Sequence, residues 1–440
     1  MKNNNLKFID LFAGLGGIRL GFEQAAAEIG ISVECVFTSE IKQSAIKVLQ
    51  TNFIHTKLAG DITQVPSTEI PDFDILLAGF PCQAFSVAGK QKGFVDTRGT
   101  LFFEIERVLR DKKPLGFILE NVEGLVNHDK ENRSDKIGKT LSVILNSLSK
   151  NYKISYKVLD SKDFGVPQTR KRIFIVGTLN KTVSLENFPV IQKKVISILE
   201  RNKDTIDNEF TKKVLKHFQP NELHGKFIKD KRGGEKNIHS WDIGIRGEVN
   251  KEEKELLNLL FKERRKKHWA SEIGIDWMDG MPLTKNQIAT FYSNKNLDKI
   301  LINLTEMGYL TLEHPKKRAI VNPSNTNTIN VAFERIPDTS KPKGYNITSG
   351  KLSFLFSHFL NPTGIAPTLV AMDMDTIGII DGNGIRNITP REGLRLFGFP
   401  DQYDLGVFSD SEIKKVYDLL GNSVCVPVVK QVAIRLLSSI

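Results

Sequence analysis

The sequence predicts an α/β fold: a doubly wound, mostly parallel sheet interrupted by a large insert. Three observations carry this expectation. Short apolar runs such as Ile75-Leu76-Leu77-Ala78 and Phe117-Ile118-Leu119 show no polar alternation, as strands covered on both faces do. Stretches with helical spacing separate them across residues 7–180, the pattern of repeated strand–helix–strand units. A glycine turn, Phe12-Ala13-Gly14-Leu15-Gly16-Gly17, follows the first strand, at the sheet edge where such folds place their ligands.

Taken in order, residues 6–10 form the first strand, and 18–29 a helix after the glycine turn. Residues 33–37 form a second strand leading to Glu40, and 44–52 a second helix. Gly60-Asp61-Ile62-Thr63 turns after a short third strand. Residues 74–78 deliver the chain to Gly79-Phe80-Pro81-Cys82-Gln83, with a helix near 101–110 beyond. A buried strand at 116–119 runs into Glu120-Asn121-Val122; a helix at 140–148 and strands at 154–159 and 172–176 complete the set.

Length and composition narrow the function. A chain of 440 residues with 40% hydrophobic and 26% charged residues suits a globular protein of two or three domains. No unbroken apolar run reaches the roughly 18 residues that span a bilayer, and residues 1–5 lead into a strand without a signal core. A cytoplasmic protein without membrane association is expected. Cys35, Cys82 and Cys425 are odd in number and far apart, which gives neither a disulfide framework nor a zinc site. No metal is expected. The net charge is +11, and residues 181–360 concentrate it, with 31 Lys and Arg against 22 Asp and Glu. A basic insert of this size favours a nucleic-acid partner.

Candidate chemistry gathers at strand ends. Glu40 is placed to bind ribose hydroxyls and Asp61 an adenine amino group, so the glycine turn suggests an adenosine-containing cofactor. Its spacing is not the Gly-x-Gly-x-x-Gly of nicotinamide enzymes. Pro81 fixes the backbone before the Cys82 thiol. Glu120, on a buried strand, is a proton donor if burial raises its pKa. Arg170 and Arg172 alternate onto one face before the last strand.

These blocks, in this order, resemble the cytosine-5 DNA methyltransferases of bacterial restriction–modification systems. The resemblance rests on Asp10 to Gly17, Gly60 to Thr63, Gly79 to Ser86, Arg98 to Phe103, Glu120 to Val122 and Gln168 to Arg172. It continues in Thr389-Pro390-Arg391-Glu392, Phe399-Pro400 and Gly421-Asn422-Ser423-Val424. It covers 7–180 and 361–440 and implies a methyltransferase fold that uses S-adenosyl-L-methionine. By resemblance, Cys82 is the nucleophile on carbon 6 of a flipped-out cytosine, Glu120 holds and protonates N3, and Arg172, supported by Arg170, binds O2. Phe12, Gly14, Leu15, Gly16, Glu40, Ile41, Asp61, Ile62, Pro81, Leu101, Asn422 and Val424 would form the cofactor pocket. Ile41 stands where many relatives carry an aromatic residue. Gln83, Ser86, Arg98 and Gln168 would meet DNA, and the segment after Cys82 would close over it.

The resemblance further implies three segments: 1–180 and 361–440 forming the catalytic domain, and 181–360 recognising the target. Helices at 251–261, 283–292 and 297–307, followed by a hairpin over 308–312 and 316–318, suggest a winged-helix-like element, with Asn346, Thr348 and Ser349 as further base contacts. A monomer acting on double-stranded DNA, paired in function with a restriction endonuclease, is expected. An RNA cytosine-5 methyltransferase is disfavoured by the size of the insert, and a non-catalytic DNA-binding regulator by the intact Cys82, Glu120 and Arg172.

Overall fold

The computed structural model describes residues 5–53, 57–81, 100–132, 134–231, 233–321, 332–348, 354–371, 373–406, 408 and 412–440. The chain divides into two compact units. One comprises Met1–Asn202, Leu360–Asp375 and Ile388–Ile440; the other comprises Lys203–Phe359 and Thr376–Asn387.

In the first unit the chain runs β1 (Leu6–Leu11), α1 (Gly17–Glu28), β2 (Val33–Ser39), α2 (Gln43–Asn52), β3 (Leu58–Ala59) and β4 (Ile75–Gly79). It continues through α3 (Thr100–Lys112), β5 (Gly116–Val122), α4 (Lys139–Leu148), β6 (Lys153–Asp160) and β7 (Lys171–Thr178). The strands form one sheet in the order β3-β2-β1-β4-β5-β7-β6. Every pairing from β3 to β5 is parallel, and β7 runs antiparallel to both β5 and β6. The order reverses between β1 and β4, so the carboxyl ends of these two strands border the crevice typical of such switch points. The apolar runs that predicted the strands are the core: Ile9, Leu11, Leu76, Ala78, Phe117 and Leu119 are buried against Ile105, Leu141 and Ile144 of the covering helices. Each of the larger side chains contributes roughly 2 kcal/mol on burial.

The second unit contains α5 (Glu209–His217), β8 (Phe227–Ile228), β9 (Asn237–Ile238), α6 (Lys251–Glu263), α7 (His268–Glu272), α8 (Lys285–Ala289) and α9 (Leu297–Glu306). Then come β10 (Leu310–Glu313), β11 (Lys316–Val321), β12 (Ala332–Pro337), β13 (Gly344–Ile347), β14 (His358–Phe359), β15 (Ile377–Asp381) and β16 (Gly384–Asn387). Leu256, Leu260, Leu283, Ile288, Leu301, Leu304 and Tyr309 bind the helices and β10 into one core. Asn250 and Glu253, and likewise Thr284 and Gln287, cap α6 and α8 reciprocally and fix where they start.

Three expectations for this region are corrected. The helix expected over 283–292 shortens to α8, because Leu283 leaves it to bridge to Tyr345. Strand β10 does not fold back on 316–318; it pairs with β13, while β11 pairs with β12. Asn346 is buried, taking the Arg264 guanidinium on Oδ1 at 2.8 Å and donating to Gly280 O and Glu313 Oε1. Its amide is therefore consumed internally and cannot read a base. Thr348 is half-buried, and Ser349 lies outside the described residues. The division into units also differs from the boundaries at 180 and 361. Residues 181–202 stay with the first unit, and β15–β16 join the second because Ile377 pairs with His358 of β14.

The chain ends in the first unit with α10 (Pro390–Leu396), α11 (Ile413–Gly421) and α12 (Val426–Leu437). Helix α12 lies on α1 with almost no space between them: a Cβ at Gly21 would sit 2.7 Å from Val429 Cβ. The stretch Ile413–Leu437 is apolar enough by composition to cross a membrane, yet it is two helices broken between Gly421 and Val426 and is largely buried.

Candidate active site

Gly79 and Glu120 are register partners across β4 and β5, so the chain leaving β4 toward Cys82 starts beside the Glu120 carboxyl. A Cβ at Gly79 would lie 3.5 Å from Glu120 Oε2. Glu120 is only 8% exposed. Burial pushes its carboxyl above the usual carboxylate range, against the opposing pull of Arg172 and then Arg170. Arg172 Nε stands 3.1 Å from Glu120 Oε1. The β5–β7 register pairs Arg172 with Val122, and this antiparallel pairing brings the two charges together from distant parts of the chain.

Arg170 is placed differently from what its alternation with Arg172 suggested. It is buried, and its guanidinium donates to the carbonyls of Leu369 (2.8 Å) and Gly421 (2.9 Å) above the Phe397 ring. Burial lowers its pKa to about 10, with Arg172 adding to the effect. Arg170 thus ties the late segments of the unit to β7, and only its field reaches Glu120. Gln168 is also corrected. It is fully buried, donates to Leu396 O at 2.9 Å and accepts from Leu369 N, so its amide is turned into the protein and away from DNA. Cys82, Gln83, Ser86 and Arg98 lie outside the described residues.

Sequence reasoning gave Asn121 no role. It is 2% exposed and donates from Nδ2 to Phe80 O at 3.0 Å, while its Oδ1 accepts from Val122 N at 2.8 Å. Phe80, itself buried against Phe102, is thereby fixed two residues before Cys82. The only signal in the sequence was its position inside the Glu120-Asn121-Val122 block.

A second group lies at the carboxyl ends of β1 and β2. Phe12, Gly14 and Gly16 all take positive φ (57°, 55° and 68°), which bends the chain sharply into α1. Glu40 holds this bend: Oε2 accepts from Gly14 N at 2.7 Å, and Oε1 from the amides of Ile41 and Lys42, each at 2.8 Å. Asp61 caps the turn after β3 by accepting from Thr63 N, with Ile62 buried behind it. Ile41 is 69% exposed. Leu15 is buried, and its carbonyl accepts from Tyr403 Oη. Leu101 is half-buried on α3, and Pro81 is exposed.

The carboxyl-terminal segment reaches the same corner. A Cβ at Gly17 would meet Ser423 Oγ at 3.4 Å and Val424 O at 3.5 Å. Asn422 is exposed, with its amide on Asp418 O at 2.8 Å, and Asp418 pairs with Lys42 beside Glu40. The structure therefore brings Gly14, Glu40, Asn422 and Val424 to one edge of the sheet, and Glu120 with Arg172 to the adjoining strands.

A mostly parallel sheet that switches direction beside a glycine turn and a strand-end acid has the architecture of S-adenosylmethionine-dependent methyltransferases. Comparison with known proteins narrows this. The profile of the C-5 cytosine-specific DNA methylases matches residues 6–438. The type II methyltransferase M.NlaIV of Neisseria lactamica is 56% identical over 436 residues, covering 99% of both chains. M.BanI of Aneurinibacillus aneurinilyticus is 41% identical over 454 residues, with 97% of this chain and 94% of the relative covered. Among solved structures, S. pombe Dnmt2 methyltransferase superposes with a TM-score of 0.53 at 16% identity over 99% of each chain, a likeness of fold alone. The chain belongs to the C-5 cytosine-specific DNA methylase family. It is an enzyme, a DNA (cytosine-5-)-methyltransferase of the type II group.

Proposed function

We propose that this enzyme methylates carbon 5 of a cytosine flipped out of duplex DNA, with Cys82 as nucleophile, Glu120 as proton donor and Arg172 as the O2 ligand. The buried Glu120 carboxyl, paired with half-buried Arg172 beside the chain leading to Cys82, is the observation that carries the reading. The Cys82 sulfur would form a bond to carbon 6 while Glu120 protonates N3, which places the electron pair at carbon 5. After methylation at carbon 5, loss of the proton there, cleavage of the carbon–sulfur bond and return of the N3 proton to Glu120 restore the ring, the thiolate and the acid. Arg172 would move from Glu120 toward O2 as the base arrives. Removing the base from the duplex costs a few kcal/mol, which interactions in this site must offset.

The residues at the β1–β2 edge fit S-adenosyl-L-methionine. Among the described residues, a Cβ at Gly14 or Gly60 would meet nothing within 4 Å, which leaves both turns room for a ligand. Glu40 Oε2 keeps a lone pair for a ribose hydroxyl after accepting from Gly14 N. Exposed Ile41 offers an apolar face for adenine beside Asp61 and Ile62, with Phe12, Leu15, Gly16, Pro81, Leu101, Asn422 and Val424 around it. When bound, S-adenosyl-L-methionine supplies the electrophilic methyl group.

The second unit would recognise the target, with its α8–α9 pair and the sheet Leu283–β13–β10 forming the winged-helix-like part. The enzyme would act as a cytoplasmic monomer that protects host DNA from a restriction endonuclease of the same site, as the type II names of its full-length relatives suggest. Labelled methyl transfer to duplex DNA and to transfer RNA tests the activity. Transfer confined to RNA, or wild-type transfer by Cys82→Ala, would refute it. Bisulfite sequencing of DNA exposed to the enzyme reads out the methylated site.

A further inference from the structure

We infer that the β11–β12 ribbon grips the phosphates of duplex DNA through Arg318 and Arg335. The inference rests on the proposed action on duplex DNA and adds the surface that seats it.

Among the described residues, β11 and β12 form a sheet of their own, joined to no other strand. A two-stranded ribbon has little stability by itself and gains from every favourable cross-strand pair. Here the register sets Arg318 directly opposite Arg335. Like charges in that position destabilise a ribbon. Lys316 shares their face by alternation, and on this face β11 and β12 supply no acid between Lys316 and Arg318 or between Arg335 and Pro337. A fold chosen for stability alone would not oppose two arginines on its least supported element. A polyanion lying across them reverses the sign of that interaction.

The surroundings favour the same occupant. Arg335 donates to Trp277 O at 3.0 Å, and Arg318 Nε lies 3.8 Å from Asp276 Oδ2, so both guanidinium groups converge on one short segment. Trp277 is 39% exposed, and Lys267 Nζ stands 6.0 Å from its ring. Arg265 takes the Trp277 indole N–H on its carbonyl and pairs with Asp279 at 3.2 Å. Arg265, Lys267, Arg318 and Arg335 thus gather around the segment 276–279, and Lys316 precedes Arg318 on the same face of β11. A basic two-stranded ribbon with an exposed aromatic at its base matches duplex DNA in charge, and in width it suits the major groove. Arginine pairs of this kind hold phosphates and fix the register of the protein on the duplex without reading sequence.

The test is the full-length Arg318→Gln/Arg335→Gln variant, assayed with a short duplex containing the methylated site. Binding should weaken tenfold or more at physiological salt. The salt dependence of log K should become shallower by about 2, one unit for each phosphate that is no longer neutralised. The turnover rate at saturating DNA and the methylated site should stay unchanged. The melting temperature should hold or rise, because the opposed charges are gone. Arg318→Lys/Arg335→Lys should keep most of the salt dependence. Unchanged affinity and salt slope would overturn the inference, as would a fall in melting temperature, which would make these arginines servants of the fold. Wild-type protein that methylates no duplex DNA would instead remove the proposed activity, a result distinct from either.

Discussion

Asn121 Nδ2 donates to the carbonyl of Phe80 at 3.0 Å, joining the end of β5 to the chain that leads to Cys82. Asn121 Oδ1 also accepts from Val122 N, so its buried amide is held at both ends. Replacing it by alanine leaves the Phe80 carbonyl without its donor, at about 1–3 kcal/mol of stability. We expect Asn121→Ala to lower the denaturation midpoint accordingly. Its single-turnover methyl transfer should fall further than its affinity for DNA, since the chain leading to the proposed nucleophile loses its anchor. Wild-type rates in a destabilised variant would show that the anchor serves the fold alone.

Glu120 must hold a proton for its proposed role, and burial raises its pKa. The rate of transfer should therefore decline as pH rises through that raised value. Arg172 opposes the shift, so Arg172→Gln should move the alkaline decline to higher pH while slowing the reaction. Glu120→Gln, which has no proton to give, should lose about 100-fold in single-turnover rate. Gel shift should find its DNA binding much less affected. A pH profile unmoved by Arg172→Gln would disconnect the pair.

Asp10 is fully buried, and among the described residues neither of its oxygens has a hydrogen-bond partner. Burial lifts its pKa from 3.8 to about 8; Arg19 opposes the shift, while Glu23 and Glu40 add to it. The folded protein keeps this proton between about pH 4 and 8 while the unfolded chain has lost it, so stability falls as pH rises across that window. Asp10→Asn removes the linkage. The variant should melt higher than wild type by a few degrees at pH 8 and by clearly less at pH 5. Equal differences at the two pH values would contradict the assignment.

Ile41 is an exposed aliphatic side chain at the proposed adenine face. Ile41→Phe should strengthen binding of S-adenosyl-L-homocysteine about two- to tenfold, the range expected for one aromatic stacking partner. Calorimetry measures this without DNA. An unchanged affinity would move adenine elsewhere.

What could be read in the sequence follows from how local each signal was. Strands β4 and β5 were legible because Ile75–Gly79 and Gly116–Val122 carry their burial in their own composition. The glycine turn, Glu40 and Glu120 were legible because strand ends are fixed once the strands are. The partner of β10 was not, since β13 lies beyond the whole β11–β12 ribbon and no local pattern states a distant register. Gln168 and Arg170 look like surface residues in a polar run. Only the return of Leu369, Leu396 and Gly421 to β7 turns them inward. The same blindness hid Asn121, whose partner Phe80 lies just past the end of β4, 41 residues away.

The proposed role of the second unit in choosing the target has a practical corollary for anyone who would transplant it between enzymes. The second unit takes Lys203–Phe359 and then, after an excursion through Leu360–Asp375, Thr376–Asn387. Strand β14 finds its parallel neighbour β15 only after that excursion, and the hydroxyls of Ser357 and Thr376 meet at 2.6 Å at the seam. A cassette cut at Phe359 would carry a sheet with a raw edge where β15 and β16 belong. A graft must carry two separate stretches of gene.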